Sequence, residues 1–228
     1  MNNVLSKIRT PFRYTFKNAT IALIIINFAV FFLYNFTNLI PISEDFFSLN
    51  VIGFVYRKFI WQPVTYMFMH ANFAHLFSNM LGLFFFGLQV ERAVGTKEFL
   101  LLYFVIGILS GLFSVAVFYA LGTYQMQLGY QPYAFITQLI GASGAIYGIL
   151  LAFAVIFPKS RIYVWFVLPV PAPVLVLVYA LIEFFAQFSR TSNVAHYTHL
   201  AGFVAAFFYF IVRMGINPIK VWKDAFRK

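Results

Sequence analysis

The sequence predicts an all-α membrane protein: six transmembrane helices gathered in one bundle, with both chain termini in the cytoplasm. Three observations predict it. First, the 228 residues are 62% hydrophobic and only 10% charged, against about 45–50% and about 25% in a soluble domain. With a mean hydropathy of +0.85, most of the chain needs lipid as its solvent. Second, the apolar residues form continuous runs rather than alternating every second residue, which favours helices over barrel strands. Third, the basic residues recur in alternate loops, the pattern that orients membrane helices.

Apolar runs lie near 19–40, 64–90, 99–121, 138–157, 164–188 and 194–214, each close to the roughly 20 residues a spanning helix needs. The first follows Lys7, Arg9, Arg13 and Lys17 and has no small-x-small cleavage site after it. It reads as a retained signal anchor rather than a cleaved peptide. The second run is longer and polar at its start. The third, fourth and sixth carry Gly107-x-x-x-Gly111, Gly144-x-x-x-Gly148 and Gly202-x-x-x-Ala206. Small residues let helix backbones approach closely in lipid, so these three are expected at the centre. The fifth contains Pro169, Pro171 and Pro173 and is expected to become helical only after them. The stretch 122–137 is uncharged and semi-apolar, suited to the outer membrane surface or to folding back into the bundle. The domain layout is therefore a short basic cytoplasmic tail (1–18), a six-helix domain (19–214) and a basic cytoplasmic C-terminal tail (215–228).

With the N-terminus inside, thirteen of the 16 Lys and Arg residues fall on the inner side. Only Arg57, Lys58 and Arg190 fall outside. This placement accounts for the net charge of +10 without invoking nucleic acid. The chain has no cysteine, which excludes disulfides, thiolate metal sites and a cysteine nucleophile.

Spans two, four and six all run from outside to inside, and each carries polar residues near its start. These are His70, His75, Ser78 and Asn79 on the second, Ser143 within Gly141-Ala142-Ser143-Gly144 on the fourth, and His196 and His199 on the sixth. Ser143 is expected one to two turns below the outer end of its helix, at about the depth of His199. His75 and Asn79, four apart, share a helix face. Polar groups at this depth are costly unless they pair or line a wet cavity. The plain reading is a set of interhelical hydrogen bonds. The chemical reading is a serine hydroxyl activated by a histidine base. His75 and Asn79 would then be donors to a developing oxyanion, and glycines beside Ser143 would leave helix N-terminal amides free. The acids are Glu44, Asp45, Glu91, Glu98, Glu183 and Asp224, and only Glu183 falls well inside a span. That points to a Ser-His dyad rather than a triad with aspartate. It excludes a paired-aspartate protease, and the lack of HExxH disfavours a zinc protease. A transporter reading finds no inverted repeat to support it.

These residues resemble the rhomboid family of intramembrane serine proteases. The likeness rests on His70-x-x-x-x-His75-x-x-x-Asn79, on Gly141-Ala142-Ser143-Gly144 with Tyr147 one turn on, and on His199-Leu-Ala-Gly202. It covers about residues 60–215. The resemblance implies a bacterial-type six-helix core in the cell membrane, with its site opening to the extracytoplasmic side. It implies that Ser143 attacks the scissile carbonyl and that His199 is base and then acid. His75, Asn79 and the Ser143 backbone amide would hold the oxyanion. Tyr147 would pack on the His199 ring, and His70, Gly141, Gly144 and Gly202 would support the site. His-x-x-Gly selects His199 over His196, which then reads as a cap residue facing water. Residues 40–62 would form the first outer loop and 188–196 a cap, and Glu91 with Arg92 resembles a structural polar pair. Trp61-Gln62 stands where the family often has Trp-Arg, and Ala206 where a second glycine is common. The expected substrates are single-span or polytopic membrane proteins, with no cofactor and no metal. The alternative is a catalytically silent relative that binds membrane proteins without cutting them.

Overall fold

The computed structural model describes residues 12–36, 44–164, 167–187 and 195–227. Lys7, Arg9, Arg190, the end of the first expected span and most of the expected cap lie outside the described residues. Helices α1 (Ala19–Phe36), α2 (Phe73–Val94) and α3 (Thr96–Gln127) are long and apolar enough to cross a membrane. Helices α4 (Ser143–Ile156) and α5 (Ala172–Ala186) are apolar but shorter, and α6 (Ala195–Val212) is an apolar helix of 18 residues. A further helix, α7 (Pro218–Phe226), lies within the stretch read as a tail. It docks through Trp222, whose indole N–H donates to the Ala154 carbonyl at 2.9 Å.

The outward faces are apolar. Ile25, Phe32, Phe85, Phe113, Leu181 and Phe208 are all exposed, an arrangement that costs little in lipid and much in water. The centre is α4, twelve of whose fourteen residues are buried, with α3 and α6 packed on it. Glycine makes this possible. A Cβ on Gly202 would collide with the Gly144 carbonyl oxygen, so α4 and α6 meet backbone to backbone. A Cβ on Gly144 would press on Ser110 of α3 and Thr198 of α6 at 3.0 Å each. Gly107 and Gly111 serve another purpose. They make room chiefly for Met67, Leu49 and Tyr66, side chains of the outer segment between α1 and α2, and Gly107 also faces Ala145 of α4.

Two helices start later than their apolar runs suggest. Helix α2 begins at Phe73, not near 64, because Asn72 is extended and its side chain caps the helix, accepting from the His75 N–H at 2.9 Å. Short turns at Gln62–Thr65 and Tyr66–Phe68 precede it, so His70 lies before the helix. Helix α4 begins at Ser143 itself, not one to two turns above it. Gly141 has φ +114°, which stops a helix from forming through it. The preceding chain is instead held to the outer segment. Leu49 and Leu139 exchange backbone hydrogen bonds of 3.0 and 2.8 Å, and the Gly141 N–H donates to the Tyr66 carbonyl at 2.9 Å.

Residues 122–137 fold back. Helix α3 runs on to Gln127, and a single turn at Tyr133–Ile136 buries Phe135 in the space that Gly122 leaves open. The fifth apolar run starts irregularly as expected. A hairpin of β1 (Arg161–Val164) and β2 (Leu168–Pro171) precedes α5. Pro173 sits in the first turn of that helix, where its missing N–H is not needed.

Buried acids tie the helices together at the other end. The Glu91 carboxylate accepts from the N–H groups of Ala19 and Thr20 at 2.8 Å each, and from the hydroxyls of Thr20 at 2.7 Å and Thr96 at 2.6 Å. It therefore caps α1. Its expected partner Arg92 lies over the Phe16 ring instead, because adjacent helical residues do not face each other. Glu98 on α3 takes the Tyr209 hydroxyl and pairs with Arg213 at 3.2 Å. The departure at Gln62 is resolved without charge. Its buried amide donates to the Asp45 carbonyl at 2.7 Å, while Trp61 donates to the Phe46 carbonyl at 2.9 Å.

Replacing Glu91 with Ala strands four buried donors and is expected to cost about 2–3 kcal/mol. Arg92→Ala is expected to cost less than about 0.5 kcal/mol. Unfolding of the two variants in detergent measures the difference.

Candidate active site

The site forms where α4, α6 and α2 meet at their N-terminal ends. Ser143 is the first residue of α4, so its backbone N–H is among the four that have no partner within the helix. His199 lies one turn into α6, and the Gly144–Gly202 contact sets the register between the two. The result is His199 Nε2 at 2.8 Å from Ser143 Oγ, a hydrogen-bond distance.

The imidazole is held from two sides. Tyr147, one turn after Ser143, stacks on it with ring centroids 4.1 Å apart and planes 7° from parallel. Glu183 on α5 approaches its other nitrogen. Oε1 is 3.0 Å from His199 Nδ1, close enough for an ion pair, although the angle departs from that of a direct hydrogen bond. The same oxygen accepts from the Tyr147 hydroxyl, and Oε2 lies 2.5 Å from His196 Nδ1.

On the other side of Ser143 stand His75 and Asn79. A Cβ on Gly141 would touch the His75 ring at 2.8 Å, so only a glycine lets that ring lie against the chain leading to Ser143. The Asn79 amide donates to the His75 carbonyl at 2.9 Å, leaving its second N–H unassigned. Ser143, His199, Tyr147, His75, Asn79 and Gly141 line one cavity of about 750 Å³, far larger than one water. Gln138 lines it too, and its side chain donates to Asp45 of the outer segment. His70 is buried behind this wall, edge-on to His75 with centroids 5.1 Å apart. Gly144 and Gly202 lie in the helix contact beneath.

Ser143, His199, His75, Asn79, Tyr147 and Gly141 thus line one cavity, with His70, Gly144 and Gly202 directly behind it. Two roles escaped the sequence reading. The sequence marks Glu183 only as the acid inside an apolar run, and His196 as a residue facing water. It is half-buried and engages Glu183 instead. The signal was available: a lone carboxylate in an apolar helix must find a partner, and α6 carries two histidines. Chemically, the arrangement offers a hydroxyl beside a base, an acid behind the base, and several N–H donors at a helix N-terminus. Glu183, His196 and His199 also form a donor set, all within 4.8 Å, that a divalent cation could use.

Comparison with known proteins identifies the family of the chain. The chain is 28% identical over 205 residues to RHOMBOID-like protein 12, mitochondrial, of Arabidopsis thaliana, covering 87% of this chain and 60% of that one. It is 30% identical over 158 residues to Rhomboid protein 1, mitochondrial, of Saccharomyces cerevisiae, covering 68% of this chain and 41% of that one. It is 33% identical over 144 residues to Rhomboid protease AarA of Providencia stuartii, covering 58% and 48%. The chain thus spans about two fifths to three fifths of the length of these curated relatives. The model of the Rhomboid domain matches residues 57–215, a stretch that holds every residue of the cavity just described, and with apolar helices packed around it the chain is a membrane-embedded member of the rhomboid family.

Proposed function

We propose that this protein is an intramembrane serine endopeptidase that hydrolyses peptide bonds in or next to transmembrane segments of other membrane proteins. The observation that carries the reading is the 2.8 Å contact between His199 Nε2 and Ser143 Oγ at the wall of a cavity large enough for water and a peptide. A structural hydrogen bond needs no such cavity.

In this reading His199 Nε2 takes the Ser143 hydroxyl proton as Oγ attacks the scissile carbonyl carbon. The carbonyl oxygen gains the negative charge and accepts hydrogen bonds from the Ser143 backbone N–H, Asn79 and His75. His199 then gives its proton to the leaving nitrogen, and the amine departs. A water molecule attacks the acyl-enzyme, its proton going to His199, and the carboxylic product leaves as Ser143 recovers its proton. The substrate segment must be unwound locally, since a helix hides its carbonyls in internal hydrogen bonds.

Six spans with both termini in the cytoplasm follow from the bias of Lys and Arg. That orientation opens the cavity to the extracytoplasmic side of the cell membrane. The substrates are single-span or polytopic membrane proteins presented through the bilayer. No nucleic acid is involved.

Ser143→Ala and His199→Ala are each expected to abolish cleavage of a reporter transmembrane substrate by the purified protein while leaving helical content unchanged. Cleavage that survives Ser143→Ala removes the assignment. Asn79→Ala is expected to retain cleavage with kcat lowered on the order of 10–10²-fold, since one oxyanion donor contributes at about this level or above. Steady-state kinetics on the reporter checks it.

A further inference from the structure

Glu183 stands out among the six acids of the chain. Glu91 caps α1, Glu98 pairs with Arg213, and Asp45 takes Gln138. Glu183 alone is buried beside the candidate base, on a helix whose other faces are apolar. Among the described residues its ion-pair partners are two histidines, with no Lys or Arg. A carboxylate held in an apolar helix without a permanent cation is expensive. A tie between α5 and α6 could be made more cheaply by apolar packing.

The geometry gives it a task that Tyr147 cannot perform. Stacking on Tyr147 fixes the plane of the imidazole. It does not fix which edge faces Ser143, because a half-turn about the Cβ–Cγ bond keeps the plane and puts carbon where nitrogen was. Glu183 Oε1, 3.0 Å from Nδ1, distinguishes the two. Only with Nδ1 toward Glu183 does Nε2 reach Ser143 Oγ. A carboxylate there also favours the proton on Nδ1, which leaves Nε2 free to accept, and it stabilises the imidazolium formed when Ser143 gives up its proton. His196, held by the other oxygen at 2.5 Å, and the Tyr147 hydroxyl keep the carboxylate itself in place. Because Glu183 belongs to α5, the base is completed only when α5 stands against α4 and α6.

We propose that Glu183 is a positioning residue for His199, so that this chain works with a Ser-His-Glu relay rather than an unassisted pair. The proposal rests on the protease reading above. It is tested with the full purified chain, comparing wild type, Ser143→Ala, Glu183→Gln and Glu183→Asp on one reporter substrate. Turnover is counted per site titrated with a fluorophosphonate probe, so a partly unfolded preparation does not imitate a loss. The expected result is a kcat lowered on the order of 10–10²-fold in Glu183→Gln, with KM within about twofold of wild type. Glu183→Asp, which keeps the charge, is expected to fall between the two. Wild-type kcat in Glu183→Gln, a loss confined to KM, or an Asp variant no better than Gln overturns it. Cleavage by Ser143→Ala instead overturns the protease reading itself, and the two failures are told apart in the same experiment.

Discussion

The structure depends on one contact: the backbones of α4 and α6 touching at Gly144 and Gly202. Ser143 is one residue before the first glycine and His199 three before the second. Once the two backbones meet, the hydroxyl and the imidazole have little freedom left. A side chain at either glycine moves the helices apart by the width of a methyl group or more. A hydrogen bond of 2.8 Å does not survive such a shift. In water such a contact would be reinforced by hydrophobic burial. In lipid it relies on shape, which is why small residues carry it.

The second constraint is the placement of polar groups inside an apolar medium. Three of those in this bundle have a clear local use. Glu91 replaces the missing partners of an N-terminal turn, Glu98 closes the far end of α3 on α6, and Gln62 pins the outer segment through its amide. The outer segment in turn holds the extended chain before α4 through Leu49, Tyr66 and Asp45. Ser143 is therefore fixed from above by paired backbone and from below by packed glycine. Gln62 shows that this anchoring needs hydrogen-bond donors of the right reach and not a positive charge.

Much of this was legible in the sequence. Continuous apolar runs marked the helices, small residues at four-residue spacing marked α4 and α6, and the polar residues of the second, fourth and sixth runs marked the cavity. Boundaries were not legible, for a physical reason. Hydropathy averages over an apolar stretch and does not register that Asn72 caps a helix or that Gly141 adopts positive φ. Ser143 therefore seemed to lie inside a helix when it begins one. Gly107 and Gly111 were readable as close-approach positions, but the sequence could not name what approaches. The sequence marks Glu91 and Arg92 as polar neighbours but not that their side chains part, one to cap α1 and the other to lie over Phe16.

Placing Ser143 at the start of a helix changes the chemistry available to it. One or two turns inside, its N–H would already be bonded to a carbonyl four residues back and unable to serve an oxyanion. At the first position that N–H is free, and the helix dipole favours negative charge beside it. The positive φ of Gly141 brings the His75 ring against the same spot. The break in the helix is thus what lets a serine hydroxyl, an amide with no partner in its helix and the His75 ring meet at one cavity. A continuous helix through residues 138–157 would have kept the serine and lost the site.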